Sequence, residues 1–401
     1  MRLTMKARKT VTKAFATQYQ RACKGDKGLL LNQFLESTGY NRHYAAWLLR
    51  HHGKRVALGP NVVMEGDVRV RLARSHPSVY DAEVLKALKK VWEMMDYLCG
   101  KRLAAALPKV VPHLASLGEL RVKASVRKRL VAVSAATIDR LLKPERDKHT
   151  LKSRARTKPG TLLKHQVPIR TFSDWQEKQP GFFETDLVGH DGGCAEGDYC
   201  FTLCMTDVAT GWTEVAAVRN KAQKWVFEAL QALRGRLPFP VLGLDSDNGG
   251  EFINHHLVAY CKEQRITFTR SRPYRKNDTC YVEQKNWSIA RRYAGYARYD
   301  TPEACALLNE LYVAVRDYTN FFLPSMKLQE KVREGARVHK RHDKPKTPYE
   351  RVLESPTVSP AVKKRLRCYY EGLNLAELWR RIRRVQGELG RVARRGGGGK
   401  P

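Results

Sequence analysis

Between residues 181 and 299 the sequence changes its hydrophobic period several times, and that alternation limits the folds open to it. FFETDLVGH, YCFTLCMTDV and WTEVAAV are short runs rich in β-branched and aromatic residues. Turn signals at Gly192-Gly193 and Thr210-Gly211 separate them, so they predict three consecutive strands. AQKWVFEALQALRGRL then places Trp225, Val226, Ala229, Leu230 and Leu233 on one helical face. VLGLDSD predicts a strand, INHHLVAYCKEQ a helix and ITFT another strand. SRPYRKND is a polar loop, and CYVEQKNWSIARRYAGYARY predicts a long helix. The order βββαβαβα is that of an α/β domain with carboxylates at strand ends.

Those carboxylates carry the chemistry. Asp186 lies within the first strand, Asp247 closes the fourth before the turn at Asn248-Gly249-Gly250, and Glu283 sits in the first turn of the long helix. Magnesium takes hard oxygen ligands. Two such ions about 3.5–4 Å apart compensate the charge on the attacking and leaving oxygens of a phosphodiester. Glu184 and Asp245 stand two residues before Asp186 and Asp247, share their strand faces and are alternative ligands. Asp207 is expected to cap a hairpin turn and Asp191 to belong to a turn.

The charge points to the partner. The chain of 401 residues carries 74 Lys+Arg against 40 Asp+Glu, a formal net charge of +34. Nucleic acid is the polyanion expected to meet it, because lysine and arginine release counterions from phosphates. An anionic membrane surface is the weaker alternative. No apolar run reaches the ~18 residues of a membrane span, and the basic N-terminus lacks the apolar stretch of a secretory signal. A cytoplasmic, nucleoid-associated protein is expected. The nine cysteines include no C-x-x-C pair; Cys194, Cys200, Cys204, Cys261 and Cys280 read as free thiols.

The flanks are basic and helical. KGLLLNQFLESTGYNRHYAAWLLRHH puts Leu30, Leu31, Phe34 and Leu35 on one face, a turn at Gly39 and a cap at Asn41. Tyr44, Ala45, Leu48 and Leu49 of the next helix are expected inward and Arg42, His43 and Arg50 outward. That is the outline of a helix-turn-helix, though an ordinary helical hairpin has the same outline. Asp81 caps a helix bearing Val84, Leu85, Leu88, Val91, Trp92 and Met95. A helix follows from Arg102 to Leu114, then a short helix, a break near Ser134 and a last helix ending before Pro144, with Arg140 and Lys143 on it. The expected organisation is a DNA-binding module over 1–75, a second helical one over 76–145, a basic linker over 146–178, the α/β core over 179–300 and a helical basic region over 301–401. In the last, Leu378, Ile382, Val385 and Leu389 fall on one side of a helix. Arg272, Tyr274, Arg275 and Lys276 form a basic, aromatic loop before the Glu283 helix, suited to gripping DNA.

Residues 181 to about 300 resemble the catalytic core of the retroviral integrase superfamily. The resemblance rests on ETD in the first strand, SDNGGEF at the second aspartate and SRPYRKNDTCYVEQKN at the glutamate, with 35 residues between Asp247 and Glu283. The layout around it is similar to transposases of bacterial insertion sequences. The resemblance implies an RNase H-like core, a mixed five-stranded sheet with helices, flanked by all-α N-terminal helix-turn-helix modules and a helical basic tail. It implies that Asp186, Asp247 and Glu283 are catalytic ligands of two Mg²⁺ ions, for which Mn²⁺ can substitute. It implies strand transfer on double-stranded DNA, at the terminal inverted repeats of a mobile element and at its target, by a homo-oligomer of at least two chains. An RNase H-like nuclease or resolvase and a non-catalytic DNA-binding regulator are the alternatives. The chain departs from retroviral integrases in having no His/Cys zinc module. Trp287 and Ala290 stand where those proteins place lysines, which leaves Lys285, Asn286, Arg291 and Arg292 to contact the DNA end.

Overall fold

A computed structural model describes residues 3–59, 62–65, 79–149, 179–246, 255–270, 280–335 and 337–393. These fall into two compact units, residues 1–79 and residues 80–401.

The first unit is a three-helix cluster with a hairpin. Helix α1 (Met5–Arg21) packs on α2 (Lys24–Thr38) and α3 (Arg42–His51). Phe34, Leu31, Ala45, Leu48 and Leu49 are buried there with Ala16 and Tyr19 of α1. Gly39, at φ 66°, closes α2 in the left-handed conformation that a side chain disfavours. The Oδ1 atom of Asn41 then accepts from His43 N at 2.9 Å and caps α3. Tyr44, expected inward, is instead exposed and meets the Tyr40 ring edge-on at 5.3 Å. An antiparallel hairpin, β1 (Arg55–Gly59) and β2 (Val62–Glu65), follows without any periodic signal having announced it.

In the second unit, four helices precede the sheet. Asp81 caps α4 (Ala82–Met94) through Val84 N at 3.0 Å, and α5 (Gly100–Ser116) follows. Then come α6 (Ala124–Ala132) and α7 (Ala135–His149), with the expected break between them, where Ser134 Oγ accepts from Thr137 N. The expectation that this last helix ends before Pro144 is corrected: α7 runs through the proline to His149. Glu145 is tied to Lys89 at 2.5 Å and Arg146 to Asp139 at 2.6 Å, and these contacts hold the helix past its missing N–H.

The sheet contains β3 (Phe182–Gly189), β4 (Phe201–Asp207), β5 (Thr213–Val218), β6 (Gly243–Ser246) and β7 (Thr267–Arg270) in the order β5-β4-β3-β6-β7. The first three strands are antiparallel; β6 and β7 join in parallel. Helices α8 (Gln223–Arg236) and α9 (His255–Glu263) lie between β5, β6 and β7 in the chain. Val226, Leu230 and Leu233 of α8 are buried with Phe183, Leu203, Met205 and Leu244 of the strands. This is the mixed five-stranded, RNase H-like core, in the βββαβαβ order that the alternating periods predict. The long helix expected to run to Tyr299 is shorter. It comprises α10 (Cys280–Lys285), a π-helical turn over Asn286–Arg291 and α11 (Arg292–Ala294), and ends at Gly295, φ 76°.

Beyond it, α12 (Pro302–Asp317) packs on β5, and a π turn Tyr318–Phe322 continues it. The C-terminal region is helical but not throughout: β8 (Leu328–Glu334) and β9 (Arg337–His342) form a second hairpin. Helices α13 (Pro348–Glu354), α14 (Pro360–Glu371) and α15 (Leu375–Val392) complete the unit. As expected, Leu378, Ile382, Val385 and Leu389 are the buried side of α15. Tyr318 donates to Met94 O at 2.7 Å, His113 meets Leu373 O at 2.7 Å and Arg380 pairs with Glu119, so the four leading helices and the C-terminal region close on each other.

Candidate active site

Asp186 sits on β3, the central strand, half-buried. Its Oδ1 accepts from Leu187 N at 2.8 Å and its Oδ2 from Asn286 Nδ2 at 2.6 Å. Glu184, two residues earlier and on the same face, is fully buried and accepts from Val282 N at 2.8 Å. The strand therefore grips α10 at Val282 and the π turn that continues it at Asn286. Glu283 lies one residue beyond Val282 and three before Asn286. Its own side chain is exposed.

On the other side of β3, β6 pairs Glu184 with Asp245 and Thr185 with Ser246. Asp245 is 3% exposed, accepts from Thr269 Oγ1 at 2.6 Å and so braces β7. The described part of β6 stops at Ser246; Asp247 lies outside the described residues, as do Arg272, Tyr274, Arg275 and Lys276. Among the described residues no group of three or more His, Cys, Asp or Glu is assembled to hold a metal. The described carboxylates of Asp186 and Glu283 are hard oxygen donors of the type magnesium takes.

The two hairpin aspartates are where turn chemistry puts them. Asp207 accepts from Thr210 N and Thr210 Oγ1, both at 2.6 Å, and from Gly181 N at 2.8 Å. Asp191 accepts from Gly193 N in the turn with positive φ at Gly192 and Gly193.

The surroundings are cationic. Burial, and then the charges of Arg102, Lys327 and Arg351, push the Lys285 amine down to about 8. Cys204, opposite Asp186 on β4, has its thiol pushed up by burial and by that aspartate. Of the residues expected to contact DNA, Arg291 lies over the Tyr296 ring at 5.0 Å. Arg292 is exposed but held at the surface: it pairs with the Asp96 carboxylate and donates to Asp96 O at 3.1 Å. Asn286 is engaged with Asp186. Trp287 is 59% exposed on the same helix. Arg140 and Lys143 are exposed on α7, and in the N-terminal unit Arg42, His43 and Arg50 are exposed on α3. The site thus brings together Asp186, Asn286 and the turn bearing Glu283. Asn286 is the residue whose place beside Asp186 the sequence reading missed; its position three residues after Glu283 was the available signal.

The integrase core domain model matches residues 176–276. A protein of Sinorhizobium fredii, described as uncharacterized protein y4rM, is 40% identical over 350 residues, which is 87% of this chain and 96% of that protein. The Pro-Pol polyprotein of feline foamy virus is 31% identical over 93 residues, 23% of this chain and 8% of that much longer polyprotein. Among solved structures, the catalytic core domain of BIV integrase is 20% identical, covering 42% of this chain and 91% of its own, with a TM-score of 0.29. The HTLV-2 integrase catalytic core domain in complex with magnesium is 16% identical, covering 35% and 86%, with a TM-score of 0.27. With a relative matched over nearly its whole length and an integrase core domain on the central strands, the chain belongs, together with y4rM, to the integrase/transposase superfamily.

Proposed function

We propose that the protein is a transposase that joins the ends of a mobile element to target DNA. The observation that carries this reading is Asp186 on the central strand of an integrase core, bonded to the helical turn that presents Glu283. Asp247 is taken as the third ligand. What supports it is the motif SDNGGEF, in which it directly follows Ser246, the last residue of β6.

In this reading Asp186, Asp247 and Glu283 hold two Mg²⁺ ions, which when bound supply charge compensation to the reacting phosphate oxygens. Water cleaves a phosphodiester at each element end, leaving a 3′-hydroxyl and a 5′-phosphate. The 3′-oxygen then attacks a target phosphorus; one P–O bond forms, one breaks, and the proton ends on the target's released 3′-oxygen. The protein's share is positioning. Asn286 fixes the Asp186 carboxylate, Glu184 fixes α10, and the cations Arg102 and Lys285 favour a polyanion nearby. The helices α2 and α3, joined by the Gly39 turn and exposing Arg42, His43 and Arg50, are proposed to recognise the terminal inverted repeats. Arg140, Lys143, Arg272, Tyr274, Arg275 and Lys276 are proposed as further DNA contacts. Two ends must be held together, so a homo-oligomer on DNA is part of the proposal.

The test uses pre-cut element ends and a target plasmid. Wild-type protein with Mg²⁺ is expected to join them, and Asp186→Asn, Asp247→Asn and Glu283→Gln are each expected to abolish joining while still binding end DNA. Full joining by any one variant removes that residue from the site. Cleavage without joining by the wild type would make the protein a nuclease.

A further inference from the structure

The hairpin β8–β9 stands out from the second unit by its exposure. From Gln329 to His342 every described side chain is exposed. A free two-stranded ribbon is marginal in water, yet this one is firmly rooted. Lys327 N donates to Asp343 Oδ1 at 2.6 Å, and Asp343 N donates to Lys327 O at 2.9 Å. Arg351 pairs with the other Asp343 oxygen at 2.6 Å, and Ser325 bridges Lys346. The Lys327 amine donates to the carbonyls of Val208 and Ala209, at the β4–β5 turn. That root lies close to the catalytic strand. Asp207 pairs with Phe183, three residues from Asp186, about 10 Å at ~3.4 Å per residue.

The charges of the ribbon are sorted by face. Residues 328–342 include Lys331, Arg333, Arg337, Lys340 and Arg341 against Glu330 and Glu334. The register pairs Glu330 with Arg341 and Glu334 with Arg337, and these positions share one face with the Val332–His339 pair. That face is electrically matched. On the other, the described side chains are Arg333, Val338 and Lys340, and none of them is an acid. Charged residues on an exposed ribbon discourage edge-to-edge aggregation. That purpose, however, would be served by either sign on either face, and it does not require both acids to lie on one face. A purely cationic face is satisfied by a polyanion. A two-stranded ribbon, moreover, has the width that the major groove of duplex DNA, about 12 Å across, admits.

We propose that β8–β9 is a DNA-binding arm that lays its Arg333/Lys340 face into a groove of duplex DNA extending from the active site. The proposal rests on the reading of the chain as an enzyme acting on DNA. Two sources are open, the element end and the target, and they share the same phosphate chemistry.

The experiment measures binding of the full chain, in EDTA, to an element-end duplex and to an unrelated duplex of equal length over a range of salt. The variants are Arg333→Ala/Lys340→Ala and, as the charge-matched control on the other face, Arg337→Ala/Arg341→Ala. Each phosphate contact contributes about 0.9 to the slope of log K against log salt. The first variant is therefore expected to lower the slope by about 1–2, and the control by a few tenths at most. A loss on both duplexes assigns the arm to DNA in general, and a loss on one alone assigns it to that source. Equal losses in the two variants, or none in either, would overturn the arm. So would an unchanged slope with an altered oligomeric state, which would make the ribbon a contact to a second copy. If wild-type protein bound neither duplex, the failure would lie with the proposed function instead. Amine footprinting of the unmodified protein gives an independent reading: DNA should protect Lys340 from acylation, and full reactivity of Lys340 in the complex would count against the arm.

Discussion

Asn286 donates its Nδ2 hydrogen to Oδ2 of Asp186 at 2.6 Å, across 100 residues of sequence, and so joins the central strand to the helix that carries Glu283. The second joint is Glu184 with Val282 N. The two acids are two residues apart on a strand, about 6.6 Å at 3.3 Å per residue. Their partners are four apart on a helix, about 6 Å at 1.5 Å per residue. The near-equality of the spacings lets the strand and the helix lie side by side with both bonds made.

Removing the Asn286 bond should therefore loosen Asp186 without dismantling the fold. A hydrogen bond to a charged group contributes about 1.5–3 kcal/mol. Asn286→Ala is expected to slow strand joining at least tenfold while lowering the melting temperature by only a few degrees. Asn286→Asp sets a like charge against Asp186 and raises the carboxylate's pKa. The acid limb of its pH–rate profile should move to higher pH. A wild-type rate and profile in Asn286→Ala would show that the bond positions nothing.

A third joint holds the C-terminal region on the sheet. Arg316 of α12 donates to both oxygens of the fully buried Glu214 on β5, at 2.8 and 3.0 Å, and Trp212 Nε1 donates to Glu214 as well. Burial pushes the Glu214 carboxyl up while Arg316 pulls it down. Breaking one partner of such a pair leaves a buried charge, at a cost of about 3–5 kcal/mol. Glu214→Ala should lower the denaturation midpoint by that amount. Arg316→Met/Glu214→Leu removes both charges of this pair but also takes Arg316 from the buried Asp317, its other partner at 2.7 Å, so it should recover only part of the loss. Equal losses in the single and double variants would mean that shape, not charge, decides the site.

The elements that were legible in the sequence are those whose burial is one-sided. Val226, Leu230 and Leu233 of α8, and Leu378, Ile382, Val385 and Leu389 of α15, repeat at helical spacing because one face of each helix meets the core. The two hairpins were not legible. In β8–β9 charges occupy both faces, so no apolar period marks the strands. Pro144 was read as a helix end because its ring removes a donor, and the distant partners Lys89, bonded to Glu145, and Leu98, whose carbonyl accepts from Arg146, show what holds α7 beyond it. At the site, the sequence motifs put forward Asp186 and Glu283 as ligands, and their elements, β3 and α10, are joined in the fold. The bond to Asn286 was hidden because it is a contact between remote segments, and Arg292, exposed by its helical position, turns to Asp96 for the same reason.

His190 supplies a pH dependence. It follows β3, is fully buried, and its Nε2 meets Thr202 Oγ1 at 2.7 Å. Burial, and then Arg291, push its pKa down to about 3 from 6.5. The fold therefore keeps the imidazole neutral, and below 6.5 the unfolded chain takes up a proton that the folded chain refuses. The stability from this group is complete above pH 6.5 and drains away as pH falls toward 3, at up to about 1.4 kcal/mol per pH unit. Denaturation midpoints measured between pH 7 and 4 should fall less steeply in His190→Gln than in the wild type. Parallel slopes would show that other groups carry the acid sensitivity.

Gly243 tests whether the spacing of the two central strands matters to the chemistry. It opens β6 opposite Phe182 of β3, and a Cβ there would press on Cδ1 and, at 2.7 Å, on Cε1 of the Phe182 ring. Neither atom is the far end of a flexible chain, so the ring or the strand must shift. Three residues on, β6 ends at Ser246, and Asp247 follows. A displacement of β6 by a few tenths of an ångström passes directly to the ligand proposed there, while the Asn286–Asp186 bond on the other side of β3 is untouched. Gly243→Ala is expected to reduce joining at least tenfold, to leave affinity for end DNA within about twofold, and to lower stability by about 1–3 kcal/mol, the usual cost of overpacking. Gly243→Ala/Phe182→Leu, which shortens the opposing ring, should recover part of the rate. If the single variant joined DNA at the wild-type rate, the β3–β6 spacing would have no part in setting the geometry of the site.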